Sequence, residues 1–119
     1  MEFLLPMPPS VNNLFATDKR RHTRYPTPAY KAWKAAAGDA LGYQYAAYGA
    51  PAVHRPVELR IQLGLNYQSD IANREKALTD LLVDRLDMPD DRYIERIVIE
   101  RTPGLKGALV TVMGGGEPA

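Results

Sequence analysis

Apolar and polar side chains alternate along residues 57–67. The apolar set comprises Val57, Leu59, Ile61, Leu63, Leu65 and Tyr67, and the polar set comprises Glu58, Arg60, Gln62 and Asn66. Because successive side chains of a β-strand point to opposite faces, this pattern predicts a strand with one buried face and one face toward water or a partner. Helices packed against the apolar face would complete such a sheet.

The residues before this strand predict another strand, a loop and a helix. An apolar strand over Glu2–Leu5 should end at the prolines that follow, because proline fixes the backbone and lacks an amide donor. We expect an extended loop over residues 6–25. Thr27 and Pro28 then suit the N-cap and first position of a helix, which we predict over residues 28–48, before a Gly-Ala-Pro stop.

The residues after it predict a second helix and two more strands. The helix spans about residues 73–86, and its buried side carries Leu78, Leu81 and Leu82. Strands over residues 93–102 and 108–113 are joined by what reads as a hairpin turn, and the tail 114–119 is expected to be frayed. The order β-α-β-α-β-β predicts an α+β fold, with one domain over residues 1–119, a mixed four-stranded sheet and two main helices.

Composition excludes several classes of protein. The chain has no cysteine, so disulfides and thiolate zinc sites are excluded. No apolar run approaches the ~20 residues that span a bilayer, and no signal peptide is evident, so we expect a cytoplasmic protein without a membrane partner. The sequence has no glycine-rich phosphate loop and no Ser-His-Asp arrangement, which argues against a nucleotide cofactor and against covalent catalysis.

Charge is unevenly distributed although the net charge is only +1. Between Asp18 and Lys34 one acid accompanies six bases, namely Lys19, Arg20, Arg21, Arg24, Lys31 and Lys34. Between Asp70 and Asp91 acids outnumber bases. A basic arm beside an acidic pocket suits a metal-dependent nuclease, because the arm attracts phosphates that the pocket repels. On charge alone, two unrelated solvated faces explain the pattern equally well.

The second helix carries polar groups that suit phosphodiester hydrolysis. Asp70 precedes the helix, Lys76 lies in its first turn, and Asp90 and Asp91 follow it. Helical periodicity places four polar residues on one side, namely Asn73, Lys76, Asp80 and Asp84. Such hydrolysis usually needs carboxylates for a divalent cation and a positive charge for the phosphate.

Each of these residues also has an ordinary structural interpretation. Asp70 would suit the positive end of a helix, and Asp90 and Asp91, after Pro89, are typical turn residues. Lys76 and Asp80 have the i, i+4 spacing of a surface ion pair. These interpretations do not explain why one helix face and both flanking loops are so polar together.

Two segments resemble the RusA family of Holliday junction resolvases. The first is Leu-Pro-Met-Pro-Pro-Ser-Val-Asn-Asn at residues 5–13, which is similar to the Pro-x-Pro-Pro-Ser-x-Asn signature of the family. The second is the helix segment, where the family has Asp-x-Asp-Asn, a lysine, an aspartate and an Asp-Asp pair. The matching positions here are Asp70, Asn73, Lys76, Asp80, Asp90 and Asp91. Two separated motifs at the right distance are a fairly specific signal.

The resemblance implies an activity and roles for these residues. It implies a homodimer that nicks four-way or other branched DNA, with Asp70 and Asp91 binding magnesium (or manganese) and Lys76 contacting the scissile phosphate or the attacking water. The DNA contacts would come from Asn12, Asn13 and Asn73, and from the basic residues Arg20, Arg21 and Arg24.

One position departs from the family pattern. Ala72 stands where the second aspartate of Asp-x-Asp-Asn is expected, which removes a carboxylate ligand. Asp80 or Asp90 would complete the metal site in a variant subfamily, which is the interpretation we favour. Alternatively, the protein binds branched DNA without cutting it, or the alanine is an introduced substitution. A dimeric scaffold without a DNA role is the least favoured hypothesis.

Overall fold

The structure is a computed structural model that describes residues 1–88 and 90–114. The elements in chain order are β1 (Glu2–Leu5), β2 (Phe15–Asp18), β3 (Thr23–Pro26), α1 (Pro28–Ala47), β4 (Val57–Leu63), α2 (Glu75–Arg85), β5 (Ile94–Arg101) and β6 (Ala108–Gly114). Short 3₁₀ turns lie at Val11–Asn13, Ala72–Arg74 and Asp91–Tyr93. The predicted α+β fold, with a mixed four-stranded sheet and two main helices, is confirmed.

The main sheet has the strand order β1-β6-β4-β5. β6 is antiparallel to both β1 and β4, and β5 is parallel to β4. Leu59 and Ile61 of β4 are fully buried on the inner face, in one cluster with the apolar side chains of α1 and α2. Arg60, between them in sequence, is exposed on the opposite face, which we call the open face. The alternation of residues 57–63 thus places both helices on one side of the sheet.

α1 begins where the sequence predicts. The hydroxyl oxygen of Thr27 accepts the N–H of Tyr30 at 3.2 Å, and Pro28 occupies the first helical position. Trp33 is buried among the core residues, and its indole N–H donates to the carbonyl of Pro6 at 2.9 Å. The helix therefore also holds the proline-rich segment that follows β1.

The prediction of an extended loop over residues 6–25 is wrong for its second half. β2 and β3 pair in an antiparallel hairpin, here called the basic hairpin (residues 15–26). The carboxylate of Asp18 accepts the backbone N–H groups of Arg20 and Arg21 at 2.9 and 3.4 Å, which closes the turn. His22 completes it at a φ of +53°. The strands are short, none of their residues is fully buried, and their sequences carry no apolar–polar alternation of the kind that marks a half-buried strand.

The predicted hairpin between β5 and β6 is also wrong, because β4 lies between them. The connection over residues 103–107 crosses the end of β4, where the N–H of Gly64 donates to the carbonyl of Gly107 at 3.0 Å. A Cβ at Gly64 would lie 1.8 Å from the carbonyl oxygen of Leu105. β4 consequently ends at Leu63, and Tyr67, predicted on its buried face, is 84% exposed.

We expect Gly64→Ala to destabilise the fold. The new methyl group collides with backbone rather than with a movable side chain, and overpacking of this kind costs roughly 1–3 kcal/mol or more. Gly42→Ala is the matched control, since the corresponding space in α1 is empty and alanine favours a helix by roughly 0.5–1 kcal/mol. Urea unfolding of both variants measures the difference, and equal stabilities would contradict the crossing.

Gly114, predicted to begin the frayed tail, is instead the last residue of β6. The remaining tail residues 115–119, and Pro89 of the acidic turn, lie outside the described residues. Within the described part of the chain, neither helix is long and apolar enough to cross a membrane.

Candidate active site

The two sequence motifs meet in space. Arg74, just before α2, donates from Nη1 to the carbonyl of Pro8 at 2.7 Å, across 66 positions of sequence. Pro8 is fully buried, and the buried Nε of Arg74 has no hydrogen-bond partner among the described residues. Proline carbonyls remain available as acceptors although the ring removes the amide donor. The proline-rich segment is thereby fixed against the start of α2.

This contact brings Asn12 and Asn13 beside the helix. Both are exposed in the 3₁₀ turn Val11–Asn13, which packs against the turn Ala72–Arg74. Asn13 donates from Nδ2 to the hydroxyl of Ser10 at 3.3 Å, and its carbonyl accepts the hydroxyl of Thr27 at 2.6 Å. The turn is thus held from both sides while its side chains face solvent.

Asp70 lies on a loop and not directly after a strand, because β4 ends at Leu63. One oxygen of its carboxylate accepts the N–H of Ala72 at 2.9 Å, a local turn bond at the start of the 3₁₀ turn Ala72–Arg74. It does not cap α2, which begins at Glu75 and receives no side-chain cap. Arg101 holds the loop by donating to the carbonyls of Asn66 and Ser69, the latter at 2.9 Å. Sequence reasoning missed this role of Arg101, since no local pattern links β5 to the loop.

The predicted polar face of α2 is present. Lys76 Nζ lies 3.2 Å from a carboxylate oxygen of Asp80, so the expected i, i+4 ion pair forms. Both side chains remain about half exposed. Asn73 is half-buried in the 3₁₀ turn that precedes the helix, and α2 itself begins at Glu75, two residues later than predicted.

An acidic cavity of about 470 Å³ opens between α2 and the segment that follows it. Its lining is formed by Asp80, Val83, Asp84, Asp90 and Asp91. Asp70 is not among the described residues that line it. The structure therefore groups Asp91 with both candidate replacement ligands, Asp80 and Asp90, and leaves Asp70 at the other end of the helix.

Asp90 is strongly bound to Arg92. The guanidinium donates to Oδ2 from Nε and Nη2 at 3.0 and 2.7 Å and to Oδ1 from Nε at 3.2 Å, and the backbone N–H of Arg92 donates to Oδ1 at 2.6 Å. These hydrogen bonds lower the pKa of Asp90 below its usual value, with the side-chain bond as the largest cause. Asp90 also caps the 3₁₀ turn Asp91–Tyr93. Its charge is thus already neutralised by a neighbour.

Asp70 and Asp91 differ from Asp80, Asp84 and Asp90, although Glu75 and Asp87 near α2 also form no ion pair within the described residues. Asp80, Asp84 and Asp90 each lie within 4 Å of a cationic side chain, whereas Asp70 and Asp91 form no ion pair within the described residues. In that part of the chain, no three His, Asp or Glu side chains are close enough together to hold a metal ion. Magnesium commonly binds through one or two carboxylates plus waters and substrate phosphates. An unpaired carboxylate is chemically suited to such a site, but Asp70 and Asp91 lie at opposite ends of α2 and only Asp91 lines the cavity.

An aromatic contact connects the basic hairpin to α1, on the side near α2. Phe15 packs edge-on against Tyr30 at a centroid distance of 5.6 Å, and the Arg24 guanidinium lies 4.8 Å above the Phe15 ring. Burial raises the pKa of the Tyr30 hydroxyl, and the negative charges of Asp80 and Asp84 raise it further while Lys76 opposes them. Tyr30, which the sequence did not indicate as a site residue, therefore lies between the hairpin and the polar face of α2.

The basic residues of the hairpin are accessible. Arg20, Arg21 and Arg24 are exposed, and the ion pair between Arg21 and Asp18 is loose at 3.9 Å.

Residues 6–113 of the chain match the family model described as Endodeoxyribonuclease RusA. The chain belongs to the RusA family. No curated protein matches the sequence.

Membership of the RusA family confirms the resemblance drawn from the two motifs. It supports an endodeoxyribonuclease of the Holliday junction resolvase class. Relative to the motif of RusA proteins, the departure at Ala72 lies in an exposed 3₁₀ turn and not in an extended segment. Strand alternation therefore does not relate Asp70 to position 72, but the Ala72 N–H bond keeps the two residues close.

Proposed function

We propose that this protein is a metal-dependent, structure-selective endonuclease that nicks branched DNA, including Holliday junctions. The observation that carries the proposal is the pair of unpaired carboxylates, Asp70 and Asp91, at the two ends of a helix that presents Lys76 between them. The acidic cavity and the exposed basic hairpin supply the charge arrangement that such a reaction needs.

Asp91 and Asp80, which line the same cavity, would hold the cation, with Asp80 standing in for the residue lost at Ala72. Asp70 lies at the other end of α2 and would join the same cation only if its loop moved toward the cavity. Bound magnesium or manganese would acidify a water molecule and offset the charge on the phosphate. Of the two replacements considered, Asp80 suits this role better than Asp90, because Lys76 holds it through one contact whereas Arg92 holds Asp90 through both oxygens.

The chemical step is attack of a water oxygen on phosphorus, with cleavage of one P–O ester bond. Lys76 leaves Asp80 to contact a non-bridging phosphate oxygen, where its charge stabilises the negative charge that develops in the transition state. The ion pair between Lys76 and Asp80 is half exposed and therefore weak, so breaking it costs little free energy. The departing oxygen takes its proton from solvent.

The DNA would be held on both sides of this helix. Arg20, Arg21 and Arg24 contact phosphates of one arm, while Asn12, Asn13 and Asn73 meet the strand nearer the cut. The turn that carries Asn12 and Asn13 packs against the turn Ala72–Arg74, and Arg74 bonds Pro8 just before it, so both asparagines lie near the start of α2. A homodimer would present two such sites and nick two symmetric strands.

The test is a cleavage assay with a synthetic mobile four-way junction and a matched linear duplex, each with and without magnesium or manganese. Symmetric nicks on the junction alone, dependent on the divalent cation, are expected. Cleavage in EDTA, or equal cleavage of both substrates, would overturn the proposal.

A second candidate is a non-cleaving branched-DNA binding protein. Ala72 and the neutralised Asp90 favour it, because each removes negative charge from the metal site. Tight junction binding without any product across a wide range of both cations would select this candidate. Indifference to both DNA substrates would reject both functions.

We expect the triple variant Arg20→Ala, Arg21→Ala, Arg24→Ala to bind the junction more weakly and with less salt dependence. The slope of log affinity against log salt should fall by about 0.9 for each phosphate that the hairpin no longer neutralises. Arg60→Ala is the control, since Arg60 lies on the open face of the sheet and pairs with Glu100. An unchanged slope in the triple variant would mean that the hairpin is merely solvated.

A further inference from the structure

A second cavity, of about 340 Å³, lies beside the acidic one, and we call it the side cavity. Its described lining consists of Ala52, Val53, His54, Arg55, Asp87 and Tyr93. The chain between Asp87 and Tyr93 borders both cavities, because Asp90 and Asp91 line the acidic one. Asp91 and Tyr93 belong to the same 3₁₀ turn. A DNA strand that reaches Asp91 therefore passes next to the side cavity.

The walls of the side cavity are held by the core. The hydroxyl of Tyr45, a buried residue of α1, donates to the carbonyl of Pro51 at 2.5 Å and accepts the backbone N–H of Asp87 at 3.1 Å. The N–H of Val53 donates to the carbonyl of Asp87 at 3.0 Å. These three bonds join the loop before β4 to the segment after α2. The cavity is thus formed before a ligand binds, as is usual for ligand sites.

The polar lining of the side cavity combines a planar cation with an anion. The Arg55 guanidinium lies over the Tyr93 ring, 5.5 Å from its centroid, and Arg55 is exposed, so its outer side is open to a ligand. Neither Arg55 nor Asp87 forms an ion pair within the described residues. Aromatic rings and guanidinium planes are the surfaces on which unstacked nucleobases stack.

This mixed lining favours a nucleobase over a phosphate. Asp87 brings an unpaired carboxylate, which repels a phosphate but accepts the amino group of a base. Arg55 and the half-buried His54 can donate to the carbonyl or ring nitrogen atoms of the same base. The volume also falls within the range of small-molecule sites.

We propose that the side cavity receives a single nucleobase next to the cut, stacked on the outer side of the Arg55 guanidinium, while Tyr93 supports Arg55 from the inner side. Removing a base from a duplex costs pairing and stacking energy. At a branch point the helical stack is interrupted, so a base there leaves the DNA at lower cost than a base within a linear duplex. The cavity thereby contributes to the selection of branched DNA. This inference rests on the proposed function for the binding of branched DNA, and it requires neither metal nor cleavage.

The first test measures junction affinity in EDTA, where metal-dependent cleavage does not occur. Arg55→Ala and Arg55→Lys should each weaken binding on the order of tenfold, because lysine keeps the charge but lacks the stacking plane. Tyr93→Leu should also weaken binding, and Tyr93→Phe should not, because the ring remains. Arg60→Ala is the control, since it removes an exposed arginine from the open face. If Arg55→Lys binds like the original chain, Arg55 contacts a phosphate and the proposal is overturned.

The second test removes the base instead of the side chain. Junctions with one abasic site, placed in turn at each nucleotide around the branch point, are titrated with the original chain and with Arg55→Ala. One abasic position should weaken binding of the original chain and abolish the tenfold difference between the two proteins, because the contact is then missing in both. An effect of Arg55→Ala that is equal on every junction would rule out stacking on a base. Circular dichroism checks that each variant is folded.

These outcomes are separate from those of the cleavage assay. If Arg55 is coupled to one base in a protein that never cuts, the side cavity stands and the nuclease function is rejected. Metal-dependent nicking without such coupling has the reverse meaning. A chain that binds no junction, with or without a divalent cation, overturns both.

Discussion

Asp70→Asn and Asp91→Asn are each expected to reduce nicking of a four-way junction by about 100-fold or more. Each change keeps the shape of the side chain and removes the charge that a divalent cation requires. Junction affinity measured in EDTA should hold or rise, because a negative charge near the phosphates is removed. Single-turnover cleavage and gel-shift titration, run in parallel, separate the two effects.

Asp39→Asn is the matched control for this pair. Asp39 is an exposed carboxylate on α1 and has no role in the proposed site, so its replacement should leave the cleavage rate unchanged. If Asp70→Asn cleaves as fast as Asp39→Asn, the active site lies elsewhere in the chain.

Ala72→Asp is expected to have the second largest effect on cleavage. A higher cleavage rate would indicate that the metal site lacks a ligand, and a lower rate would indicate that the site is already complete. The N–H of residue 72 donates to Asp70, so a carboxylate there starts close to Asp70. If a ligand is missing, the magnesium concentration for half-maximal rate should fall by roughly 10–100-fold and the rate should rise. Cleavage rates across a magnesium titration measure both quantities.

Asp80→Asn and Asp90→Asn in the original chain distinguish the alternatives. If Asp80 already serves as the ligand, Asp80→Asn abolishes cleavage, and Ala72→Asp only adds repulsion and lowers the rate. We expect Asp90→Asn to affect the turn that Asp90 caps more than the rate, because Arg92 already occupies both oxygens. A cleavage rate that none of the three substitutions changes would contradict the assignment of the active site to α2 and its flanking loops.

The sequence predicted those elements whose causes are local. The Thr27 cap and the alternation of β4 involve neighbouring residues, and both are found in the structure. The basic hairpin was missed because its strands bury little and are held by the Asp18 turn and the Phe15–Tyr30 contact. The predicted β5–β6 hairpin was wrong because an apolar pattern does not show which strands are neighbours. The connection over residues 103–107 reads as a tight turn in the sequence, but it crosses the end of β4, where Gly64 leaves room for it.

The candidate site divides in the same way. Helical periodicity was enough to place Lys76 and Asp80 together. The roles of Arg74, Arg101 and Tyr30 come from contacts between distant segments, for which a single sequence carries no periodic signal. The ion pair between Asp90 and Arg92 was within reach of local reasoning, since only one residue separates them, but it depends on the conformation of the turn.

If the proposed site binds a divalent cation, the acidic lining of the cavity would let monovalent salt and the divalent cation act on separate steps. Monovalent salt screens the hairpin and so sets how often DNA arrives. The acidic cavity repels a phosphate, and in the proposed function a divalent cation would offset that repulsion. The rate of DNA binding should therefore depend mainly on monovalent salt, and the rate of cleavage on the divalent cation. A junction already bound at low magnesium would be cut promptly once magnesium is added. Such a protein would bind its junction first and cleave it when a divalent cation becomes available.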